Sequence, residues 1–225
     1  MQTASDYLEK TESAVHKLFE GIDSYTKILK SAPPPHFLDT VNIDNDYKQV
    51  IQDWAKENEI HFETSRIAQE KFIAENFALA TLCGAVLEVA AKALELYSKN
   101  EKVPAEWSEL IKESSKQARF VIGKSIRNVP LGLIIYAARN QYMHFEEGDK
   151  LKDPINLTVF KRLASFDDEL FLNEKRTIQP PRLYDPAFDL SNQKLLSFSH
   201  NVTALIRWRS YDAYKKDMHK LLNIS

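Results

Sequence analysis

The chain has 225 residues, of which 44% are hydrophobic and 28% charged, so it has enough apolar material for a sizeable core and is not a disordered chain. The formal net charge of −2 argues against a protein that coats nucleic acid through a global basic field. One cysteine excludes an intrachain disulfide and a CxxC zinc site, and only five glycines disfavour a fold of tight hairpins.

The first predicted element is a long amphipathic helix over about residues 5–30. Its apolar residues recur at helical spacing from Leu8 to Leu29. Three consecutive prolines at 33–35 stop the helix, and a loop over 31–43 is expected to follow.

A buried helix is predicted in the next part of the chain. A short helical stripe runs from Tyr47 to Trp54, and a break or kink is expected near residues 61–62. The helix over about 64–98 then carries an apolar centre nearly all round, which is typical of an element buried on all sides. Its apolar run and the one at 129–138 are too short to span a bilayer, so no membrane contact is expected.

Prolines mark the starts of three further predicted helices. Pro104 starts one that ends near Gly123, and Pro130 starts one over about 130–147. Asp153 and Pro154 have the residue types of an N-cap and first helical position, for a short helix that ends near 165.

The C-terminal part is predicted to be an irregular arm over 166–190 and a long helix over 190–222. No segment alternates as a strand would, so the expected class is all-α. We expect one domain over 1–225. It would hold a helical bundle at about 64–165, an N-terminal helical extension at 1–63 and a C-terminal arm and helix at 166–225.

One polar stretch, ARNQYMHFEEG at 138–148, interrupts this apolar pattern. On a helical wheel, Arg139 and His144 flank the core stripe and lie about 140° apart. They are therefore not stacked on one face as metal ligands are in HExxH. Other histidines and the cysteine do not accompany them at ligand spacing, so we expect no metal and no cofactor.

The residue types in this stretch suit phosphodiester cleavage without metal. Arg139 keeps its charge and can hold a phosphate with two hydrogen bonds. Histidine is the residue type whose charge ordinarily changes near neutral pH, so a histidine at position 144 can take or give a proton. The Asn140 amide can orient either group. RNA supplies its own nucleophile, the 2′-OH, so such a site would prefer RNA to DNA.

The pattern Arg139-Asn140-x-x-x-His144 near the end of a helix resembles the motif of the HEPN domain family (higher eukaryotes and prokaryotes nucleotide-binding). This resemblance implies an α-helical bundle that dimerises, with the two motifs facing each other. It also implies a metal-independent endoribonuclease of the toxin or defence type. Arg139 and His144 would be catalytic, with Asn140 beside them.

Two further sets of residues are candidates for this function. The far face of the motif helix mixes apolar and polar residues, so it should contact either another helix of the same chain or a partner subunit. The resemblance implies that it is the dimer face, with Leu133, Tyr136 and Met143. The most basic segment precedes the motif and supplies candidate contacts to RNA phosphates: Arg119, Lys124 and Arg127.

Two other interpretations stay open. Arg139 and His144 could be a helix-end pair, with His144 interacting with the helix dipole and Arg139 pairing with Glu146 or Glu147. The chain could also be a non-catalytic HEPN-like interaction or nucleotide-binding module. Expected partners are a second copy, RNA, and an antitoxin or other protein. The N-terminus lacks the features of a signal peptide, so a cytoplasmic location is expected.

Overall fold

A computed structural model of the chain describes residues 2–31, 59–144, 153–167, 182–190 and 198–224. These residues form six α-helices and two small two-stranded sheets, so the all-α class is confirmed. The predicted loop at 31–43, apart from its first residue, lies outside the described residues. So do the stripe from Tyr47 to Trp54 and the end of the motif helix beyond His144.

The helices are α1 (Ala4–Ser31), α2 (Glu59–Tyr97), α3 (Leu131–His144), α4 (Pro154–Ala164), α5 (Ser199–Leu205) and α6 (Tyr211–Leu221). The strands pair antiparallel, β1 (Ser125–Ile126) with β2 (Val129–Pro130) and β3 (Ser165–Asp167) with β4 (Arg182–Tyr184). Short 3₁₀ turns are formed by Ala105–Trp107, Ala118–Phe120 and Pro186–Phe188.

Helix α2 is the central element because α1, α3 and α5 all pack on it. The Tyr7 hydroxyl of α1 donates a hydrogen bond to the Val89 carbonyl of α2 at 3.2 Å. Further along α1, a Cβ added at Gly21 would lie 2.8 Å from a Leu82 methyl group. These contacts place the two helices antiparallel, because the earlier residue of α1 contacts the later residue of α2.

Two more helices close on the middle of α2. The ring of Tyr142 on α3 packs directly on Gly84, where a Cβ would overlap the ring. On α5, the Thr203 hydroxyl donates to the Cys83 sulfur at 3.3 Å. Burial raises the pKa of the Cys83 thiol to about 11, so this thiol stays protonated and serves as a small core residue.

The two ends of the described chain also meet each other. The rings of His16 on α1 and Tyr211 on α6 lie 3.8 Å apart, and Lys215 pairs with Glu12 at 3.2 Å. The buried residues of all six helices belong to one hydrophobic cluster, which extends from Tyr7 to Leu221. The N- and C-terminal helices therefore share the core of the central bundle.

Three sequence predictions about element boundaries are wrong. Helix α2 begins at Glu59 and continues through residues 61–62, where a break was expected. The segment after Pro104 forms 3₁₀ turns in place of a helix. In it Ser114 adopts a φ of 56°, and the Ser115 hydroxyl accepts a hydrogen bond from the Ala118 amide. Serine side chains compete in this way with helical hydrogen bonding.

The third wrong boundary is the long C-terminal helix, which is two helices. Helix α5 ends at Leu205, and Arg207 takes a left-handed φ of 65°. The Ser210 hydroxyl then accepts a hydrogen bond from the Ala213 amide and so caps α6. The bend buries Trp208, whose indole nitrogen donates to Asp217 at 3.0 Å.

By length and composition alone, the Glu70–Tyr97 stretch of α2 could cross a membrane. The core helix of a soluble protein passes the same test, and 56% of the apolar window in this stretch is buried in the fold. Helices α1, α3 and α5 cover part of this stretch, whereas Phe72, Ile73 and Phe77 are 46–56% exposed.

Because Gly84 contacts Tyr142 closely, Gly84→Ala should change the free energy of unfolding in opposite directions with and without the Tyr142 ring. Gly84→Ala gains about 1 kcal/mol of helix propensity. The overlap with the ring costs about 1–3 kcal/mol, so the variant should be less stable. In a Tyr142→Ala background the overlap is gone, and Gly84→Ala should raise the free energy of unfolding. Urea unfolding followed by circular dichroism measures both effects. A stabilising Gly84→Ala in the wild-type chain would contradict this packing.

Candidate functional site

Helix α3 changes from buried to exposed along its length. Its first two turns are in the core, where Leu131, Ile134 and Ile135 are at most 1% exposed. Arg139 and Asn140 are half-buried, and His144 is exposed. The polar stretch is thus where the helix leaves the core and reaches the surface.

Arg139 is held by a carboxylate of the neighbouring helix. Its Nε and one terminal nitrogen donate to the two oxygens of Glu88 on α2, at 2.5 and 3.2 Å. The other terminal nitrogen donates to the Asn140 side-chain oxygen at 3.2 Å. The hydrogen bond to Glu88 raises the pKa of Arg139 further, so the guanidinium stays charged.

These bonds leave part of the guanidinium available. Arginine has five N–H donors, and the bonds within the described residues use three of them. The side chains of Arg139 and Glu88 are 35% and 37% exposed, so solvent or a ligand can reach the pair. Glu88 therefore fixes the orientation of Arg139 and also offsets part of its charge.

Asn140 and Tyr136 connect α3 to the start of α4. The Asn140 amide donates to the buried Asn156 at 3.5 Å, and the Tyr136 hydroxyl donates to Asp153 at 3.2 Å. Asp153 also accepts from the Ile155 amide at 2.9 Å and so caps α4, as the sequence predicts. Burial and the Asp153 charge raise the pKa of Tyr136, so its hydroxyl remains a donor.

His144 lies at the last described position of α3. Five helical steps separate it from Arg139 by about 140° of rotation and about 7.5 Å of rise. The two side chains therefore leave the helix in different directions. Within one chain, helical geometry does not bring them to a common point.

A cleft of about 270 Å³ opens beside Arg139. We call it the Arg139 cleft. It lies between α2, the turn around residues 116–120 and α3, and its polar lining comprises Lys92, Glu95, Lys116, Gln117, Tyr136 and Arg139. Among the described residues, no group of three or more His, Cys, Asp or Glu side chains could hold a metal ion.

The three candidate phosphate contacts in the basic segment each have a partner within the fold, and Lys124 and Arg119 are also exposed. Lys124 pairs with Asp217 at 2.8 Å, and Arg119 donates to the Glu95 carbonyl in the last turns of α2. Arg127 is only 14% exposed, pairs with Asp185 at 2.8 Å and lies 3.8 Å from the centre of the Phe166 ring. The Arg127 guanidinium is therefore largely enclosed by protein contacts, and its role as a phosphate contact stays a prediction.

Arg127 and Asn128 also have a backbone role. Their φ values are 52° and 60°, and they link the paired strands β1 and β2 as a two-residue turn. Positive φ at both positions is typical of a type I′ hairpin. The Arg-Asn dipeptide at 127–128 therefore forms a turn, whereas the one at 139–140 lies in a helix.

The predicted dimer face is only partly a surface. Leu133 is 0% exposed and belongs to the core, so at this position the far face contacts other helices of the same chain. The helix is buried on more sides than a single stripe, because α2, α4 and α5 all pack on it. Tyr136 is half-buried, while Met143 is 53% exposed.

Sequence reasoning missed Glu88, Asn156 and Gln117. Glu88 was detectable, since it is a carboxylate within the otherwise apolar run LATLCGAVLEVAA and so needs a partner. Asn156 and Gln117 carry no such local signal, because only packing brings them beside α3. The chain matches no protein-family model, no curated protein and no solved structure in the comparisons made with each.

The two Arg-Asn dipeptides should respond differently to the loss of the arginine. Arg127→Ala leaves Asp185 without its cation and should lower the free energy of unfolding by about 2–4 kcal/mol. Arg139→Ala removes a pair that is about one-third exposed and should cost about 1 kcal/mol or less. Urea unfolding of both variants makes the comparison. Equal losses would show that Arg139 is as structural as Arg127.

Proposed function

We propose that this protein is a metal-independent endoribonuclease of the HEPN type that acts as a homodimer in the cytoplasm. One observation carries the proposal. Arg139, Asn140 and His144 occupy the turns of α3 that leave the core, with the Arg139 guanidinium charged, oriented by Glu88 and still accessible. These are the groups that phosphodiester cleavage needs.

The chemistry assigns one role to each group. The RNA 2′-oxygen attacks the adjacent phosphorus and its bond to phosphorus forms while the bond to the 5′-oxygen breaks. A neutral His144 accepts the 2′-OH proton, and a protonated His144 gives a proton to the departing 5′-oxygen. Arg139 stabilises the extra negative charge on the phosphoryl oxygens. Asn140 holds the guanidinium in place.

A second copy would complete the site. One protomer offers a single His144, and helical geometry directs it away from Arg139. Two copies bring two histidines, one for each protonation state, and two arginines. The exposed Met143 beside His144 is an apolar contact available to such a partner. An antitoxin or other protein would then control the activity by covering this face.

One observation favours a second candidate function, a non-catalytic interaction module. Glu88 neutralises part of the Arg139 charge and ties α2 to α3. A guanidinium that is paired with a carboxylate contributes to the stability of the fold, and the lower net charge stabilises a phosphate less well. Under this alternative the helix end binds a partner protein and leaves RNA intact.

Cleavage of RNA in EDTA tests the proposal. The purified chain should cut single-stranded RNA with the chelator present, leaving 2′,3′-cyclic phosphate and 5′-OH ends. His144→Ala should lower the rate by at least about 100-fold, because it removes proton transfer, while the circular dichroism spectrum stays the same. His219→Ala, on α6, is the matched control and should cleave like the wild type.

Dilution separates the two candidate functions further. The specific activity should fall with protein concentration in parallel with the dimer fraction measured by sedimentation. Intact RNA at every concentration, with and without EDTA, would reject the ribonuclease and leave the interaction module. Equal cleavage rates for His144→Ala and the wild type would show that His144 takes no part in the reaction.

A further inference from the structure

The Tyr136 side chain has a fixed place in the wall of the Arg139 cleft. Its ring is half-buried and packs on Phe120, with ring centres 5.0 Å apart. The turn that carries Phe120 is held against α3, because a Cβ at Gly132 would overlap the Phe120 carbonyl. Tyr136 precedes Asn140 by four residues, so the two side chains are neighbours on one face of α3. The Tyr136 hydroxyl is therefore held beside the Asn140 amide.

The Tyr136 hydroxyl has three polar partners. It donates to Asp153 at 3.2 Å, and the side-chain amides of Asn140 and Gln117 hydrogen-bond it. Burial raises the pKa of Tyr136 most and Asp153 raises it further, whereas the two amides lower it, as donors to the phenolic oxygen do. A hydroxyl has one proton and two lone pairs, so three partners use it fully. The hydroxyl thus acts within the fold.

The direction of each hydrogen bond in this group follows from Asp153. A carboxylate only accepts, so it takes the Tyr136 proton and leaves the phenolic oxygen as an acceptor. Asn140 must then present its NH₂ group to Tyr136, and the same group donates to Asn156 at 3.5 Å. The Asn140 oxygen is consequently turned toward Arg139, whose terminal nitrogen donates to it at 3.2 Å. The opposite amide orientation would place two donors together at Arg139 and two acceptors together at Tyr136.

From this chain of hydrogen bonds we infer that Tyr136 is a positioning residue for Arg139 and acts through Asn140. Asp153 fixes the proton of Tyr136, and Tyr136 fixes the orientation of the Asn140 amide. The amide oxygen then holds the guanidinium nitrogen that Glu88 does not use, so the guanidinium is held from two sides. The effect on catalysis rests on the proposed ribonuclease function, to which the inference adds a residue outside the motif.

Side-chain NMR of the full-length chain tests the positioning without RNA. Tyr136→Phe keeps the ring on Phe120 and removes the hydroxyl, so the side-chain amide signals of Asn140 and the Nε signal of Arg139 should shift. Tyr214→Phe is the matched control, because the buried Tyr214 hydroxyl has no hydrogen-bond partner among the described residues. This control should leave the signals of both residues at their wild-type positions.

Cleavage kinetics test the consequence for catalysis. Tyr136→Phe should lower kcat by about 3- to 10-fold, the usual range for one lost hydrogen bond. The KM for RNA should change little, because Arg139 keeps its charge. Since Tyr136 acts through Asn140, the same substitution in an Asn140→Ala background should cause no further loss. A merely structural loss would lower the rate by the same factor in both backgrounds.

The outcomes for Tyr136 and for the ribonuclease are separate. Unchanged Asn140 and Arg139 signals in Tyr136→Phe would overturn the positioning role, whether or not the chain cuts RNA. A kcat that Tyr136→Phe leaves unchanged, or equal losses in the wild-type and Asn140→Ala backgrounds, would overturn it while the ribonuclease stands. Shifted signals in a chain that leaves RNA intact would support the positioning of Arg139 and reject the ribonuclease.

Discussion

The close packing of α3 on α2 is the constraint on which the rest of the structure depends. Gly84 lets the Tyr142 ring lie directly on the α2 backbone, and one turn further along α2 Glu88 meets Arg139. Four residues separate Gly84 from Glu88 and three separate Arg139 from Tyr142, so both contacts lie on facing ridges. A bulkier residue at 84 would shift α3 and move the motif.

The ion pair between Glu88 and Arg139 links the fold to the candidate chemistry. A carboxylate on a largely apolar helix is unfavourable unless it is paired, and Arg139 supplies the partner. The pair is accessible enough to be modest in energy. Its larger effect is geometric, because two hydrogen bonds fix the plane of the guanidinium. The orientation of Arg139 is therefore a property of two helices together.

The two Arg-Asn dipeptides show how context determines the role of identical residues. Arg127 and Asn128 adopt positive φ in a hairpin, and the guanidinium is buried against Asp185 and Phe166. Arg139 and Asn140 are helical and remain partly accessible. The neighbours of each arginine in space, and not in sequence, decide whether its donors are consumed by the protein or left for a ligand.

The sequence by itself determined the all-α class, α1, the buried α2, the motif helix and the capped start of α4. These elements carry strong local signals: apolar periodicity, Pro154 at a helix start and the Asp153 cap. It did not determine the turns after Pro104, the bend at Arg207 or the burial of Leu133, which depend on contacts with distant segments. Nor did it determine the partners of Arg139. Glu88, Gln117 and Lys116 lie 51, 22 and 23 positions away from Arg139 in the chain. Only the tertiary structure brought them beside α3, because packing alone makes them neighbours.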